Sequence, residues 1–358
     1  MPKAIINIAE YVEDTYFNFP QQAMMEIVDA LHKNDMVEIH FCEGIALEEL
    51  NYKEKKFLHL LKELCDLNNW PLNKIHFVLP NLTQDQSVWP SIEFGFSSHL
   101  ESNISDNFFL RFQIDNLLIK KDFKKTFGMF VGRSSWDRLL LASHLYNRHK
   151  DKTIQTYRTY LDNPSNMLHI DINRLLWQIS SYNNKTLSTI NVMDSTTHFI
   201  KNLPLLLDDS HPGVTHIQWD SGAVDNDIMS WYNNIFIDVV CEKMVTGQTF
   251  FPTEKTARPL ATKTPFLIMS SPDYIKNLHK LGFRSFSQFW DESYDYQQGV
   301  QRLESIQNII DDLAKLDKSQ LHDLYERMLP TLQHNFKVYH ELTPAKISSI
   351  FNLSEVKS

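Results

Sequence analysis

Nine glycines are few for a chain of 358 residues, and none sits in a G-x-G-x-x-G or a G-x-x-x-x-G-K-[ST] spacing. Those loops need glycine so that backbone can pass close to a phosphate, which sets aside dinucleotide oxidoreductases, kinases of the usual type and P-loop NTPases. H-E-x-x-H and G-x-S-x-G are absent too, removing the common zinc-protease and serine-hydrolase sites. The three cysteines, Cys42, Cys65 and Cys241, form no close pair, so neither a disulfide framework nor a zinc site is expected and a reducing compartment is the default. Fifteen histidines are present, none spaced as metal ligands on one helix face. No apolar run approaches the roughly 20 residues of a membrane span, and the opening MPKAIINIAEYVED lacks an apolar stretch of signal-peptide length. The expectation is a soluble, cytoplasmic protein without a transmembrane segment, for which peripheral membrane contact stays open. With 44 acidic against 35 basic residues the formal charge is -9, which argues against broad nucleic-acid binding.

What is there is an ordinary globular composition, 42% apolar and 12% aromatic, in a chain long enough for two cores. The first third alternates strand and helix: strands over residues 3–9, 37–42 and 74–79, helices over 20–31 and 46–67. That order at that spacing predicts a parallel sheet with right-handed crossovers. A boundary falls near residues 120–125, giving an N-terminal α/β domain (1–122), a second domain (123–340) and a C-terminal tail (341–358) whose last residues, 354–358, read as frayed. The second domain opens with a strand at 127–131, a tight turn at 132–135 and a helix from Trp136. Helices are expected at 167–179, 196–207, 300–316 and 321–336, and strands at 153–157, 187–192 and 232–241.

The densest chemistry lies in residues 249–295, where charged groups sit in a turn–helix–strand–helix pattern with no evident structural need for them. The run FLIMS (266–270) suits a strand buried on both faces. After it, Ser271 can cap a helix, Pro272 fits its first position and Gly282 stops it. Before it, Pro259 either begins or kinks a helix, so Glu254, Lys255 and Arg258 lie at or before that helix's first turns. Unpaired N–H groups, a partial positive charge and two cationic side chains suit a diphosphate there, with Glu254 left to accept hydrogen bonds from sugar hydroxyls. A solvated Glu/Lys/Arg cluster is the plainer alternative. Arg133, in the strand-to-helix turn, is a second candidate for phosphate contact, because α/β folds bind ligands at the carboxyl ends of strands. Arg138 lies one helical turn further in, where a salt bridge is an equally good reading.

Two acidic groups carry rival readings. Asp225-Asn226-Asp227 is a D-x-D, which can hold a divalent ion against a nucleotide diphosphate but also occurs in ordinary turns. Asp291, Glu292 and Asp295 read as a cap for the helix that follows and as partners of Arg284 or Arg302.

Taken together, FGMFVGR before a helix, a strand ending near Glu242, and TEKTARPLATKTPFLIM resemble the C-terminal nucleotide-sugar-binding domain of glycosyltransferases with the GT-B fold. The T-E-K start is most similar to the fucosyltransferase-type branch. The fuller run with LGFRSF and WDESYD is similar to uncharacterised glycosyltransferase-like proteins of bacteria and of large viruses or phages. The likeness covers roughly residues 127–316 with gaps. It implies two Rossmann-like α/β domains facing across a cleft and transfer of a sugar, hexosyl or fucosyl in type, from a nucleotide diphosphate to a glycan, lipid-linked or other hydroxyl acceptor. It also implies that Arg133 and Lys255 contact the diphosphate, that Glu254 and Arg258 contact ribose, sugar or phosphate, and that Arg138, Glu242 and Thr253 belong to the same donor site. The base comes from the N-terminal domain in such enzymes, which leaves Glu10, Glu13, Asp14 and Glu43 as candidates, since one group must take the acceptor's proton. No cofactor and no divalent metal are expected, positive side chains doing the metal's work. The alternatives are a metal-dependent transferase using Asp225 and Asp227, and a non-catalytic nucleotide-sugar or glycan-binding protein.

Overall fold

The computed structural model describes residues 2–8, 21–41, 47, 50–52, 55–79, 86–96, 121–132, 134–157, 168–181, 189–205, 231–245, 247–351 and 354–355. In chain order the first part holds β1 (Lys3–Asn7), α1 (Gln21–Lys33), β2 (Met36–His40), the two-residue strands β3 (Asn51–Tyr52) and β4 (Lys55–Lys56), α2 (Phe57–Asn68), β5 (Ile75–Leu79) and β6 (Ile92–Phe96). The second part holds β7 (Lys125–Val131), α3 (Trp136–His149), β8 (Thr153–Tyr157), α4 (Leu168–Ser181), α5 (Thr189–Ile200), β9 (Ile235–Cys241), α6 (Glu254–Ala261), β10 (Phe266–Met269), α7 (Tyr274–Lys280), α8 (Gly299–Leu313), α9 (Lys318–Glu341), α10 (Pro344–Phe351) and β11 (Ser354–Glu355).

The architecture is α/β, with two parallel sheets. One runs β1-β2-β5-β6-β11, every neighbour parallel. The other runs β10-β9-β7-β8, again parallel throughout. Each sheet has its own apolar cluster. Ile6, Ile27, Leu31, Val37, Ile39, Leu61 and Phe77 belong to the first. Phe127, Met129, Leu141, Ile237, Leu267 and Ile306 belong to the second.

All seven residues of β9, IFIDVVC, are buried, as are all four of β10, FLIM, because helices cover both faces of a parallel sheet. Gly282 adopts φ 96 and ends α7 as expected, since a residue without Cβ enters the left-handed region at least cost.

Several local expectations are corrected. Residues 46–67 are not one helix. Leu47 and Leu50 are buried in the first core, yet the chain then turns through the β3–β4 hairpin and α2 begins only at Phe57. Apolar spacing alone does not tell a helix from a hairpin that delivers the same residues to the core. The strand expected at 187–192 falls, where described, in α5, which ends at Ile200 rather than at residue 207. Pro272 does not open α7, which starts at Tyr274, and Asp273 takes a left-handed φ of 62. The cap comes from elsewhere, since the Asp295 carboxylate accepts the backbone N–H groups of Ile275 and Lys276 at 3.1 and 3.2 Å. Asp295 therefore caps a helix before it in sequence, while its pairing with Arg302, at 3.2 Å, is as expected. Ser354 and Glu355, read as frayed, pair in parallel with Gly95 and Phe96. Just before them α10 packs on the second core through Ile347 and through Phe351 against Phe250.

Candidate functional site

The site grows from the carboxyl ends of β7 and β9. Parallel strands that end side by side leave a crevice there, which following helices close with their N-termini. Here the closing elements are α3, after β7, and α6, after β9.

The start of α6 is held by one carboxylate. Glu242, the residue after β9, is 1% exposed. It accepts the Thr253 backbone N–H at 3.1 Å, the Thr253 hydroxyl at 2.6 Å, the Thr256 hydroxyl at 2.6 Å and the Tyr274 hydroxyl at 3.2 Å. Thr253 is the N-cap, its Oγ1 accepting the Lys255 backbone N–H at 3.3 Å. The Glu242 main chain is fixed as well, because Arg138 Nη2 donates to the carbonyls of Cys241 and Glu242 at 3.2 and 3.0 Å. Glu242, expected among the donor contacts, is thus placed as the brace of α6, with its carboxylate turned inward. Pro259 neither begins nor ends this helix but lies inside it, as its sixth residue.

Of the expected site residues, Arg138, Lys255 and Arg258 line one small cleft together with Gly132, Tyr232 and Asp238. Its enclosed space is about 20 Å³, room for about one water molecule. Lys255 Nζ lies 2.7 Å from Glu254 Oε1 and 3.3 Å from Thr253 Oγ1. Burial works against the charge of Glu254, yet Lys255 and Arg258 outweigh it and hold its pKa down to about 2. Arg258 is buried, and its Nε has no hydrogen-bond partner among the described residues.

Beneath the cations lies a group the sequence reading missed. Asp238, buried in the middle of β9, accepts the Tyr232 hydroxyl at 2.6 Å. Burial raises its pKa to about 7, against the opposing pull of the Tyr232 hydrogen bond, Arg258 and Lys121. Lys121 donates to the Tyr232 carbonyl at 2.7 Å and to Thr264 Oγ1 at 2.5 Å. Burial lowers its pKa to about 7, with Asp238 opposing. Two groups poised near neutrality below a cationic cleft are the kind of perturbation that marks functional sites. The signal was present in the sequence, since an aspartate inside the run IFIDVVC has to be buried and partnered if that run is a covered strand.

Arg133, Glu10, Glu13, Asp14, Glu43, Asp225 and Asp227 all lie outside the described residues. Glu10, Glu13 and Asp14 follow β1 in the chain, Glu43 follows β2, and Arg133 falls between β7 and α3. Among the described residues no helix is long and apolar enough to cross a membrane.

No family model matches the chain, and no curated protein matches it. Among solved structures, the N-terminal domain of Candida albicans trehalose-6-phosphate phosphatase is similar at 12% sequence identity and a TM-score of 0.32, over 92% of this chain and 75% of that one. A likeness of that size carries no conclusion about activity.

Proposed function

We propose that the chain is a metal-independent glycosyltransferase of GT-B architecture. Its two Rossmann-like domains face across a cleft, and it moves a sugar from a nucleotide diphosphate to a glycan, lipid-linked or other hydroxyl acceptor. The observation that carries the reading is the convergence of Arg138, Lys255 and Arg258 on one cleft at the carboxyl ends of β7 and β9, beside the start of α6. Backbone N–H groups at a helix start together with fixed cations form an anion site.

The enclosed space admits about one water, so the diphosphate lies across the mouth of the cleft, with the cations beneath it. Arg138, whose guanidinium is tied to the β9 terminus, and Arg258, whose Nε is buried without a described partner, supply preorganised charge. Lys255 reaches the same mouth, and Glu254, kept ionised, is left to accept sugar or ribose hydroxyls. Charge fixed in advance stabilises the leaving diphosphate without reorganisation during the reaction. Glu242 and Thr253 contribute by holding α6 in place, and Arg133 joins the phosphate contacts from the β7–α3 turn. The acceptor's proton goes to one of Glu10, Glu13, Asp14 or Glu43 on the N-terminal side. The protein works in the cytoplasm, where membrane contact is at most peripheral, and nucleic acid is not its partner.

A thermal-shift series of the purified chain against UDP-, GDP-, CMP- and dTDP-sugars, with and without magnesium, tests this, because a ligand bound only by the folded state raises Tm. One nucleotide class should raise Tm without magnesium, and Lys255→Ala and Arg258→Ala should reduce that rise. A rise that needs magnesium moves the reading to a metal-dependent site at Asp225 and Asp227. Silence across the panel, or a shift untouched by both substitutions, sinks the donor site; a shift without turnover leaves a nucleotide-sugar-binding protein.

A further inference from the structure

A second constellation lies at the far end of α3. His144 and His149 sit five residues apart in its last turns, and Asp311 faces them from α8. His144 Nε2 lies 2.9 Å and His149 Nε2 2.6 Å from the same oxygen, Asp311 Oδ1. The three atoms all fall within 4.8 Å of one another. The second carboxylate oxygen, Oδ2, is held by Arg148 Nη1 at 3.1 Å. The side chains of His144, His149 and Asp311 are 10%, 14% and 23% exposed, sheltered but open to solvent. A cavity of about 320 Å³ lies alongside, with His144, Arg148, Ser195, Glu304 and Asp311 in its wall.

We infer that His144, His149 and Asp311 form a binding site for a divalent transition ion of the zinc type. Two imidazole nitrogens and one carboxylate oxygen form the N/O donor set that Zn²⁺ takes, at roughly 2.0–2.2 Å from each ligand. Ligands at that distance around a tetrahedral ion stand roughly 3.4 Å apart, so each imidazole, now 2.6–2.9 Å from Asp311 Oδ1, has to draw back from the carboxylate by about half an ångström or more to admit the ion. Arg148 on Oδ2 leaves Oδ1 as the coordinating oxygen and fixes the plane of the carboxylate, the work an outer hydrogen bond does at metal sites. Three protein ligands leave a fourth position, which opens on the adjoining cavity and takes a water or an exchangeable carboxylate. The ligands come from two helices, so the ion ties α3 to α8. His149 is eleven residues beyond Arg138 on the same helix, about 16 Å along its axis, so this ion does not act on the donor cleft and its fate is independent of the proposed activity.

The spacing was invisible as a motif because His144 and His149 are i and i+5, not i and i+4. Two helices must pack before Asp311 joins them.

Zinc and cobalt provide the test, on the full chain after exhaustive chelation. The wild type should take up one equivalent of Zn²⁺, with a rise in Tm that saturates at that ratio. Co²⁺ in its place should give the visible absorption of a four-coordinate ion with nitrogen ligands. His149→Ala and Asp311→Asn, both checked for native circular dichroism, should each weaken uptake by about tenfold or more and abolish the cobalt band. His149 is partly exposed and packs only at the edge of the core, 6.0 Å from the Phe127 ring, so its variant remains informative if the other fails to fold. A wild-type chain that takes up no stoichiometric zinc or cobalt overturns the inference. So does an equivalent that both variants retain, since it then binds elsewhere.

Discussion

The Glu242 carboxylate grips Thr253 twice, taking its backbone N–H on Oε1 at 3.1 Å and its hydroxyl on Oε2 at 2.6 Å. The residue that ends β9 therefore sets where α6 begins, and with it the positions of Lys255 and Arg258. Glu242→Gln keeps the shape but turns an amide donor toward groups that are themselves donors. A buried hydrogen bond to a charged group contributes about 1.5–3 kcal/mol, so thermal or urea denaturation should register a loss of about 2–3 kcal/mol. Thr253→Val, which removes the hydroxyl and keeps the backbone N–H, should lose less, about 1 kcal/mol. Equal stability of Glu242→Gln and the wild type would show that the brace is not needed.

Glu254 gives the acid limb of stability. Its pKa is held down to about 2 in the folded chain, Lys255 and Arg258 prevailing over burial. An ordinary glutamate in the unfolded chain titrates near 4.3. The folded state thus binds the proton less tightly, and the contribution is fully present above that unfolded value and lost as pH falls toward 2. Glu254→Gln should flatten this part of the stability–pH curve, and Lys255→Ala should flatten it too, by letting the folded carboxyl titrate closer to its unfolded value. Denaturant midpoints between pH 2 and 6 measure both.

The parts of the molecule written in short-range pattern were legible. β9 and β10 stand where apolar runs end at turn residues, and α8 and α9 follow their periodicity to within a few residues. Meeting points were not. Asp295 caps α7 from beyond Gly282 and Trp290, which no window along the chain contains. The β3–β4 hairpin uses Leu50 much as a helix would, so residues 46–67 carried an ambiguous pattern. At the site, Lys255 and Arg258 were singled out by charge near a helix start, a local property. Lys121, whose ammonium reaches Thr264 across 143 positions, looked like linker. Asp238 is legible in principle, since a charge inside the buried run IFIDVVC has to find a partner, as it does in the Tyr232 hydroxyl.

Asp238 and Lys121 should give stability an unusual dependence near neutrality. The carboxyl titrates near 7 when folded and near 3.9 when unfolded. The folded state then holds the proton more tightly, so this group's contribution falls as pH rises from about 4 to about 7. The ammonium titrates near 7 when folded and near 10.4 when unfolded, so its contribution recovers as pH rises from about 7 to about 10. Asp238→Asn should remove the first limb and leave the second, which melting curves taken at intervals from pH 4 to 10 would separate. Parallel curves for variant and wild type below pH 7 would mean that Asp238 stays ionised in the folded protein.

Arg302 offers the largest expected loss. It is 0% exposed, and its guanidinium donates to the carbonyls of Ile268, Ser271 and Asp295, to Ser270 Oγ and to Asp295 Oδ1, all at 3.1 to 3.2 Å. Those acceptors belong to β10, to the link into α7 and to the turn before α8, so one side chain joins three segments. Arg302→Met keeps most of the volume but strands Asp295 as an uncompensated buried carboxylate, at a cost of about 3–5 kcal/mol. At roughly 2–4 °C per kcal/mol for a domain of this size, Tm should fall by about 6–20 °C. The double variant Arg302→Met/Asp295→Asn removes the stranded charge as well and should recover part of the loss, leaving the unpaired carbonyls and the missing α7 cap. A double variant no more stable than Arg302→Met would place the loss in those unpaired carbonyls rather than in the unpaired Asp295.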